Sequence, residues 1–286
     1  SMVFVMITLA SESAKRIVEV LEEKSSLVNP ENPVYEVKDG FVDFENVSFK
    51  YSKKAERNAL ENINLHINSG ETIGIIGGTG SGKSSVVNLI PRFYDVTEGQ
   101  VMVDGMDVRE YKITDLRDKI GIVPQKAVLF AGTVRENMQW GKKDATDEEI
   151  WEALKTAQAE EFIRAKEGGL DANIEQGGRN LSGGQRQRLT IARALVKKPR
   201  VLILDDSASA LDYATDAALR KAIRQMEGAP TVFIVSQRTS SLMSADRILV
   251  LDDGEATGYG THEELLKNCQ TYREIYNSQY GKKEEA

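Results

Sequence analysis

A chain of 286 residues, 41% hydrophobic and 28% charged with mean hydropathy −0.37, has the composition of a soluble globular protein and material for one large domain or two small ones. With 37 basic against 44 acidic residues the net charge is −7, which argues against a surface that coats nucleic acid. The single cysteine, Cys269, excludes an internal disulfide framework and a cysteine-ligated zinc site and fits a reducing compartment.

The chain opens on an apolar run, Met2 to Ala10, far shorter than the ~20 residues needed to span a bilayer. No Lys/Arg region precedes it and no cleavage site follows, so it does not read as a signal peptide. Ser13 to Leu21 continue as an amphipathic helix. Two readings of residues 1–24 stand: a plain N-terminal helix, or the cytoplasmic end of a membrane helix, which Lys15 and Arg16 suit as a flank. Residues 25–40 hold Asn29-Pro30-Glu31-Asn32-Pro33 and read as a linker at a domain boundary.

Phe41 to Tyr51 is predicted as a strand with two alternating sets, Val42 and Phe44, then Val47, Phe49 and Tyr51. A second strand around Leu65-His66-Ile67 turns at Asn68-Ser69-Gly70 into Glu71 to Ile76, a short run that suits a buried strand. Next comes Gly77-Gly78-Thr79-Gly80-Ser81-Gly82-Lys83-Ser84, the phosphate-binding pattern G-x-x-x-x-G-K-[ST], and Ser84 to Ile90 follow with helical spacing. Strand, glycine loop and helix is the context this pattern needs. The glycines let backbone N–H groups curl around phosphate oxygens, and the helix points its positive end at the same anion. Lys83 is placed to reach the β- and γ-phosphates and the Ser84 hydroxyl to ligate Mg²⁺. The context makes this a nucleotide site.

Asp104-Gly105 marks a hairpin turn after Gln100 to Val103. Gly121-Ile122-Val123 is a short strand ended by Pro124 and followed by Gln125. A mostly helical segment runs from Val134 to Arg164, and a Gly-rich loop carries Gln176-Gly177-Gly178. Leu181-Ser182-Gly183-Gly184-Gln185 opens a further helix, on which Arg186 and Arg188 read as a solvated face and Lys197-Lys198 as a solvated end. Val201 to Leu204 form a strand ending in Asp205-Asp206; Ser209 to Asp212 lead into a helix from Tyr213. Thr231 to Val235 are another buried strand, ending at Ser236-Gln237-Arg238, and Cys269 falls in a polar C-terminal helix as an inert thiol. Short apolar strands alternating with helices predict a parallel sheet with helices on its faces.

Taken together these motifs resemble the nucleotide-binding domain of an ABC transporter over residues 37 to 280. Leu181 to Gln185 match the family signature, Gln125 the Q-loop, Asp205 the Walker B aspartate, Ser209 to Asp212 the D-loop and Tyr51 the aromatic A-loop residue. Asp115-Leu116-Arg117 and Gly132 to Asn137 resemble the exporter branch, of multidrug and lipid half-transporter type, whose members fuse a membrane domain ahead of this one. The resemblance implies an α/β fold of the P-loop NTPase, ABC type. It has a parallel RecA-like sheet, an antiparallel β subdomain and a helical subdomain, over about 126–196, carrying the signature. It divides the chain into the end of a membrane helix at 1–24, the linker at 25–40, the nucleotide-binding domain at 41–280 and a polar tail at 281–286.

It implies ATP and Mg²⁺ as ligands. Tyr51 then stacks on adenine, its alternative being a core aromatic of the sheet, and Gly77 to Ser84 with Ser85 hold the phosphates. Ser84, Gln125 and Asp205 hold the metal, and Asp206, Gln237 and Gln125 stand at the attacking water. Leu181, Ser182, Gly183, Gly184, Gln185 and Asp212 serve a nucleotide bound across an interface. Ser182 and the N–H groups of Gly183 and Gly184 offer a second anion site that closes on a partner domain's γ-phosphate. Implied partners are therefore a second nucleotide-binding domain and a transmembrane domain, without nucleic acid. The implied location is the cytoplasmic face of the cell membrane.

Two positions depart from the family. Where most members have glutamate after the Walker B aspartate, this chain has Asp206, one methylene shorter; where they have a switch histidine, it has Gln237. Both fall in the site built on this chain's own phosphate loop, while the signature is intact. The combination resembles the degenerate half of a heterodimeric exporter, which binds ATP tightly and hydrolyses it poorly. The alternatives are a slowly hydrolysing homodimeric exporter and a non-transport ABC ATPase acting on DNA or ribosomes, which the acidic surface and the lack of a coiled-coil insertion disfavour.

Overall fold

The computed structural model describes residues 2–280, so the polar tail expected at 281–286 lies outside the described residues. In chain order the elements are α1 (Met2–Glu22), β1 (Val42–Phe49), β2 (Leu60–Ile67), β3 (Thr72–Gly77), α2 (Lys83–Leu89), β4 (Glu98–Val103), β5 (Met106–Asp107), α3 (Ile113–Asp118) and β6 (Ile120–Val123). There follow β7 (Gly132–Thr133), α4 (Val134–Gln139), α5 (Asp147–Thr156), α6 (Glu160–Arg164), β8 (Asn173–Ile174), α7 (Gly183–Leu195), β9 (Val201–Asp205) and α8 (Tyr213–Arg224). The chain closes with β10 (Thr231–Val235), β11 (Arg247–Asp252), β12 (Glu255–Gly260), α9 (His262–Asn268) and α10 (Gln270–Tyr280).

The central sheet has the order β12-β11-β3-β10-β9-β6, parallel except for β12 at its edge. Every residue of β3 and β10 is buried, because a parallel sheet is covered on both faces and its strands read as unbroken apolar runs. The period of two then divides each strand between two cores. Ile73, Ile75, Val201, Ile203, Phe233 and Val235 join one core with α2 and the antiparallel strands. Ile76, Leu202, Leu204, Val232 and Ile234 join the other with the helices.

A second, antiparallel sheet has the order β2-β1-β4-β5. The phase change expected inside β1 is a bulge: the pairing register breaks between Phe44 and Val47, where Asn46 takes φ +49°. Asp104 and Gly105 both take positive φ in the turn between β4 and β5, at 53° and 72°, as a two-residue hairpin of that hand requires.

Among the described residues four helices start in reciprocal capping boxes, in which a side chain and a backbone N–H satisfy each other in pairs. They are Thr133 with Glu136, Thr146 with Glu149, Ser182 with Gln185, and Thr261 with Glu264. No residue of α1 is buried, and no described helix is long and apolar enough to cross a membrane.

Two expectations are corrected. The basic residues of α7 and its end do not form a solvated face. Arg186 donates to the Leu181 carbonyl at 2.6 Å, Arg188 to that of Gln158 at 2.7 Å and Lys197 to that of Arg117 at 2.8 Å; only Lys198 is exposed. Long basic side chains pack their stems and use their heads as donors. Cys269 does not lie in a polar helix but is buried in the helical core, at the junction of α9 and α10.

Candidate functional site

The phosphate loop runs from the end of β3 to the start of α2, and each glycine has its own reason. A side chain at Gly77 would collide with the Leu251 carbonyl and the Ser81 hydroxyl. Gly82 takes φ +95°, and a Cβ there would lie 2.7 Å from Leu60 Cδ2 and 2.8 Å from the Ala59 carbonyl. At Gly78 and Gly80, by contrast, a Cβ would meet nothing within 4 Å. The tight glycines fold the loop, and the open ones, Gly80 with φ +83°, face free space. Gly82 is the N-cap of α2 and supplies no side-chain acceptor, so no cap competes for that helix's first N–H groups.

Lys83 is buried, and its Nζ donates to the carbonyls of Gly77 at 2.9 Å and Gly78 at 2.6 Å. Burial lowers its pKa, while Asp205 and Asp206 act to raise it. The ammonium thus stands inside the loop, bound to neutral carbonyls. Ser84 Oγ donates to Asp205 Oδ2 at 3.3 Å, which brings a hydroxyl and a carboxylate together at the end of β9. Burial raises the Asp205 pKa above the usual carboxylate range; the Ser84 bond and Lys83 oppose the shift and Asp206 adds to it. Oxygen donors of this kind suit Mg²⁺, which keeps several waters and takes phosphate oxygens for the rest of its shell. Among the described residues no group of three or more His, Cys, Asp or Glu is arranged to hold a metal by itself.

Asp206 follows β9 in the left-handed region, φ +45°, with its N–H donated to the Val235 carbonyl at 2.9 Å. Gln125, beyond β6, donates through Nε2 to Asp206 Oδ2 at 3.3 Å. Ser236 donates its N–H to the Ile75 carbonyl at 3.1 Å, so the segment bearing Gln237 is tied to the strand that feeds the phosphate loop. Gln237 itself is exposed. The loop, Asp205, Asp206 and Gln237 thus lie at the carboxyl ends of the adjacent strands β3, β9 and β10, where ligands of open parallel sheets bind.

Tyr51 lies just past β1 and outside both cores, 55% exposed. Its hydroxyl is 2.8 Å from Ser85 Oγ, and its ring stands edge-on to Phe49 and Tyr94, with centroids 4.8 Å and 5.1 Å away. Tyr94 carried no recognisable motif, and neither did Gln279, whose side chain reaches the segment after β10.

The structure does not bring every candidate to the loop. Ser182 caps α7, accepting from Gln185 N at 3.2 Å while Gln185 Oε1 accepts from Ser182 N at 2.9 Å. Leu181 is buried beneath this turn, and Gly184 packs beside the Ala210 carbonyl. Asp212 caps α8 with both oxygens on Thr215, which holds its carboxyl below the usual range. Among the described residues no hydrogen bond joins the signature turn to the phosphate loop. A cavity of about 720 Å³ lies elsewhere, bounded by Leu204, Arg220, Ile223, Ile234 and Met243. The phosphate loop instead sits at an open surface.

The sequence profile of the family described as ABC transporter matches residues 60–209. The chain belongs to the ABC transporter family. An uncharacterized ABC transporter ATP-binding protein of Mycobacterium tuberculosis is 44% identical over 284 residues, 98% of this chain and 48% of that protein. A putative multidrug export ATP-binding/permease protein of Bacillus subtilis, YgaD, is 44% identical over 84% of this chain and 41% of its own length. Among solved structures, a bacterial Atm1-family ABC exporter with ATP bound superposes with a TM-score of 0.87 at 33% identity, covering 97% of this chain and 49% of that one. The chain spans about half the length of these ABC transporter relatives, and its α/β architecture is that of an ABC-type nucleotide-binding domain.

Proposed function

We propose that this chain is the ATP-binding part of an ABC exporter, one that grips Mg·ATP firmly and hydrolyses it weakly at its own site. The observation that carries this is a complete grip beside a weakened attack apparatus. Lys83 and the Ser84–Asp205 pair are in place, while the neighbouring positions hold Asp206 and Gln237. Tyr51 offers its exposed ring to the adenine, and Gly78 and Gly80 leave room for phosphate. Mg²⁺, when bound, neutralises charge on the phosphates. Asp206 is one methylene short of the glutamate usual at its position, so its carboxylate reaches ~1.5 Å less far from the backbone than that glutamate would. Gln237 can donate a hydrogen bond to a γ-phosphate, but it cannot carry charge or relay a proton.

Export as the task is supported by the relatives, one named for multidrug export and one a solved exporter. The exposed signature turn at Ser182 and Gly183 suits a head-to-tail partner domain whose γ-phosphate it completes. ATP then acts as interfacial glue, and its binding energy favours the closed pair. The degenerate site with its intact signature fits a partner from a different subunit, which keeps the competent site. Two exposed surfaces suit a membrane domain at the cytoplasmic face: α1, which belongs to residues 1–24, and a groove of about 340 Å³ bearing Phe93, Phe130 and Trp140 with Arg117 and Arg193.

The test is to titrate the purified chain with Mg·ATP and follow phosphate release in the same preparation. Binding without matching turnover is expected, and brisk turnover by the chain alone overturns the weak-site reading.

A further inference from the structure

After β10 the Ser236 N–H donates to the Ile75 carbonyl and the Ser241 N–H to that of Arg238, and side chains meet the groups between. Arg238 donates its N–H to Ser236 Oγ at 3.0 Å. The groups on either side, the Gln237 carbonyl and the Thr239 N–H, are met by one side chain from α10. Gln279 donates through Nε2 to the Gln237 carbonyl at 2.8 Å, and its Oε1 accepts from both the N–H and the hydroxyl of Thr239 at 2.9 Å. Thr239 is fully buried, so its hydroxyl has no water to replace that acceptor.

This task needs a primary amide, which accepts at oxygen and donates at nitrogen. A glutamate would keep both Thr239 bonds but would set an acceptor against the Gln237 carbonyl. An asparagine would fall short by ~1.5 Å. The Gln237 carbonyl and the Arg238 N–H belong to one planar peptide unit, so holding both restrains rotation about the Gln237 Cα–C bond and narrows the directions in which that residue's side chain leaves the backbone.

We propose that Gln279 is a positioning residue: it holds Gln237 where the side chain meets the γ-phosphate, so that α10 sets the site's preference for nucleoside triphosphate over diphosphate. This rests on the reading of Gln237 as the γ-phosphate contact. A one-turn shift of α10, or loss of its last turn, would release the contact without touching any group that binds the diphosphate.

The experiment compares Gln237→Ala, Gln279→Ala, Gln279→Glu and the double alanine variant. Each is titrated with Mg·ATP and Mg·ADP, and amide exchange is followed over residues 236–243. A hydrogen bond to a charged group corresponds to at least about tenfold in affinity. Gln237→Ala is therefore expected to weaken ATP about tenfold and leave ADP unchanged. Gln279→Ala should do the same with faster exchange, and the double variant should be no worse than either. Gln279→Glu should keep Thr239 protected and still lose the ATP preference, which separates the hold on Gln237 from a general hold on the turn. ATP and ADP affinities falling together, or stability falling with the preference intact, overturns the proposal. If Gln237→Ala leaves the preference unchanged, the reading of Gln237 falls and the proposal with it. If Gln237→Ala removes the preference and Gln279→Ala does not, the proposal falls alone.

Discussion

Restoring the longer acid at position 206 tests the weak-site reading most directly. The backbone there is set by the sheet, since the Asp206 N–H is donated to the Val235 carbonyl at 2.9 Å. Asp206→Glu therefore changes reach and not anchorage, advancing the carboxylate by ~1.5 Å. A displacement of ~1 Å corresponds to as much as a hundredfold in rate, so kcat is expected to rise by about ten- to a hundredfold. An opposing cost is built in. Asp206 takes φ +45°, a region that aspartate tolerates better than glutamate, and the variant should lose about 1 kcal/mol of stability. Adding Gln237→His supplies a group that titrates near neutrality, so the double variant should also acquire a pH dependence around the ordinary histidine value of ~6.5. The assay is phosphate release at saturating Mg·ATP, with affinity and thermal stability measured on the same samples. Unchanged kcat in both variants, with ATP still bound, would refute the roles given to positions 206 and 237.

Four further outcomes are expected. Lys83→Ala removes the cation from the loop and leaves the Gly77 and Gly78 carbonyls without their donor; Mg·ATP affinity by calorimetry should fall on the order of a hundredfold. Asp205→Asn should abolish Mg²⁺-dependent binding and yet raise the melting temperature at neutral pH. Burial raises the Asp205 pKa above the ordinary 3.8, so its ionisation favours the unfolded chain. The gain should vanish below that ordinary value and grow as pH climbs through the folded one, which melts across a pH series will check. Gly82→Ala meets both a positive φ and the Leu60 and Ala59 contacts, and denaturant unfolding should show a loss of about 2–3 kcal/mol. Ser182→Ala removes the cap of α7 at a cost of about 1 kcal/mol. It should slow turnover in the assembled pair while this chain's own ATP affinity stays unchanged.

The parallel strands and the phosphate loop were legible because their causes are local. A strand covered on both faces must be apolar throughout, as β3 and β10 are, and the loop announces itself by glycines at fixed offsets. The Ser182 helix start was legible for the same reason. The β11–β12 hairpin was missed although its signal, an apolar run closed by Asp253-Gly254, is present. The basic residues of α7 were misjudged because a charge says nothing of which carbonyl lies within reach of it. The position of Tyr51 depended on Ser85 and Tyr94, and the grip of Gln279 on Gln237 spans 42 residues. Such pairings come from tertiary packing and leave no pattern in the chain.

The capping boxes differ in one respect that bears on the signature turn. Those of α4, α5 and α9 place glutamates at their third positions, Glu136, Glu149 and Glu264. Each carboxylate stands on the positive end of its own helix and cancels it. Among the described residues α7 alone closes its box with an amide, Gln185, which makes the same two hydrogen bonds and brings no charge. Its first turn is exposed at Ser182 and Gly183, and its field is left uncancelled. One amide in place of a carboxylate separates three helix starts that carry their own negative charge from one that carries none.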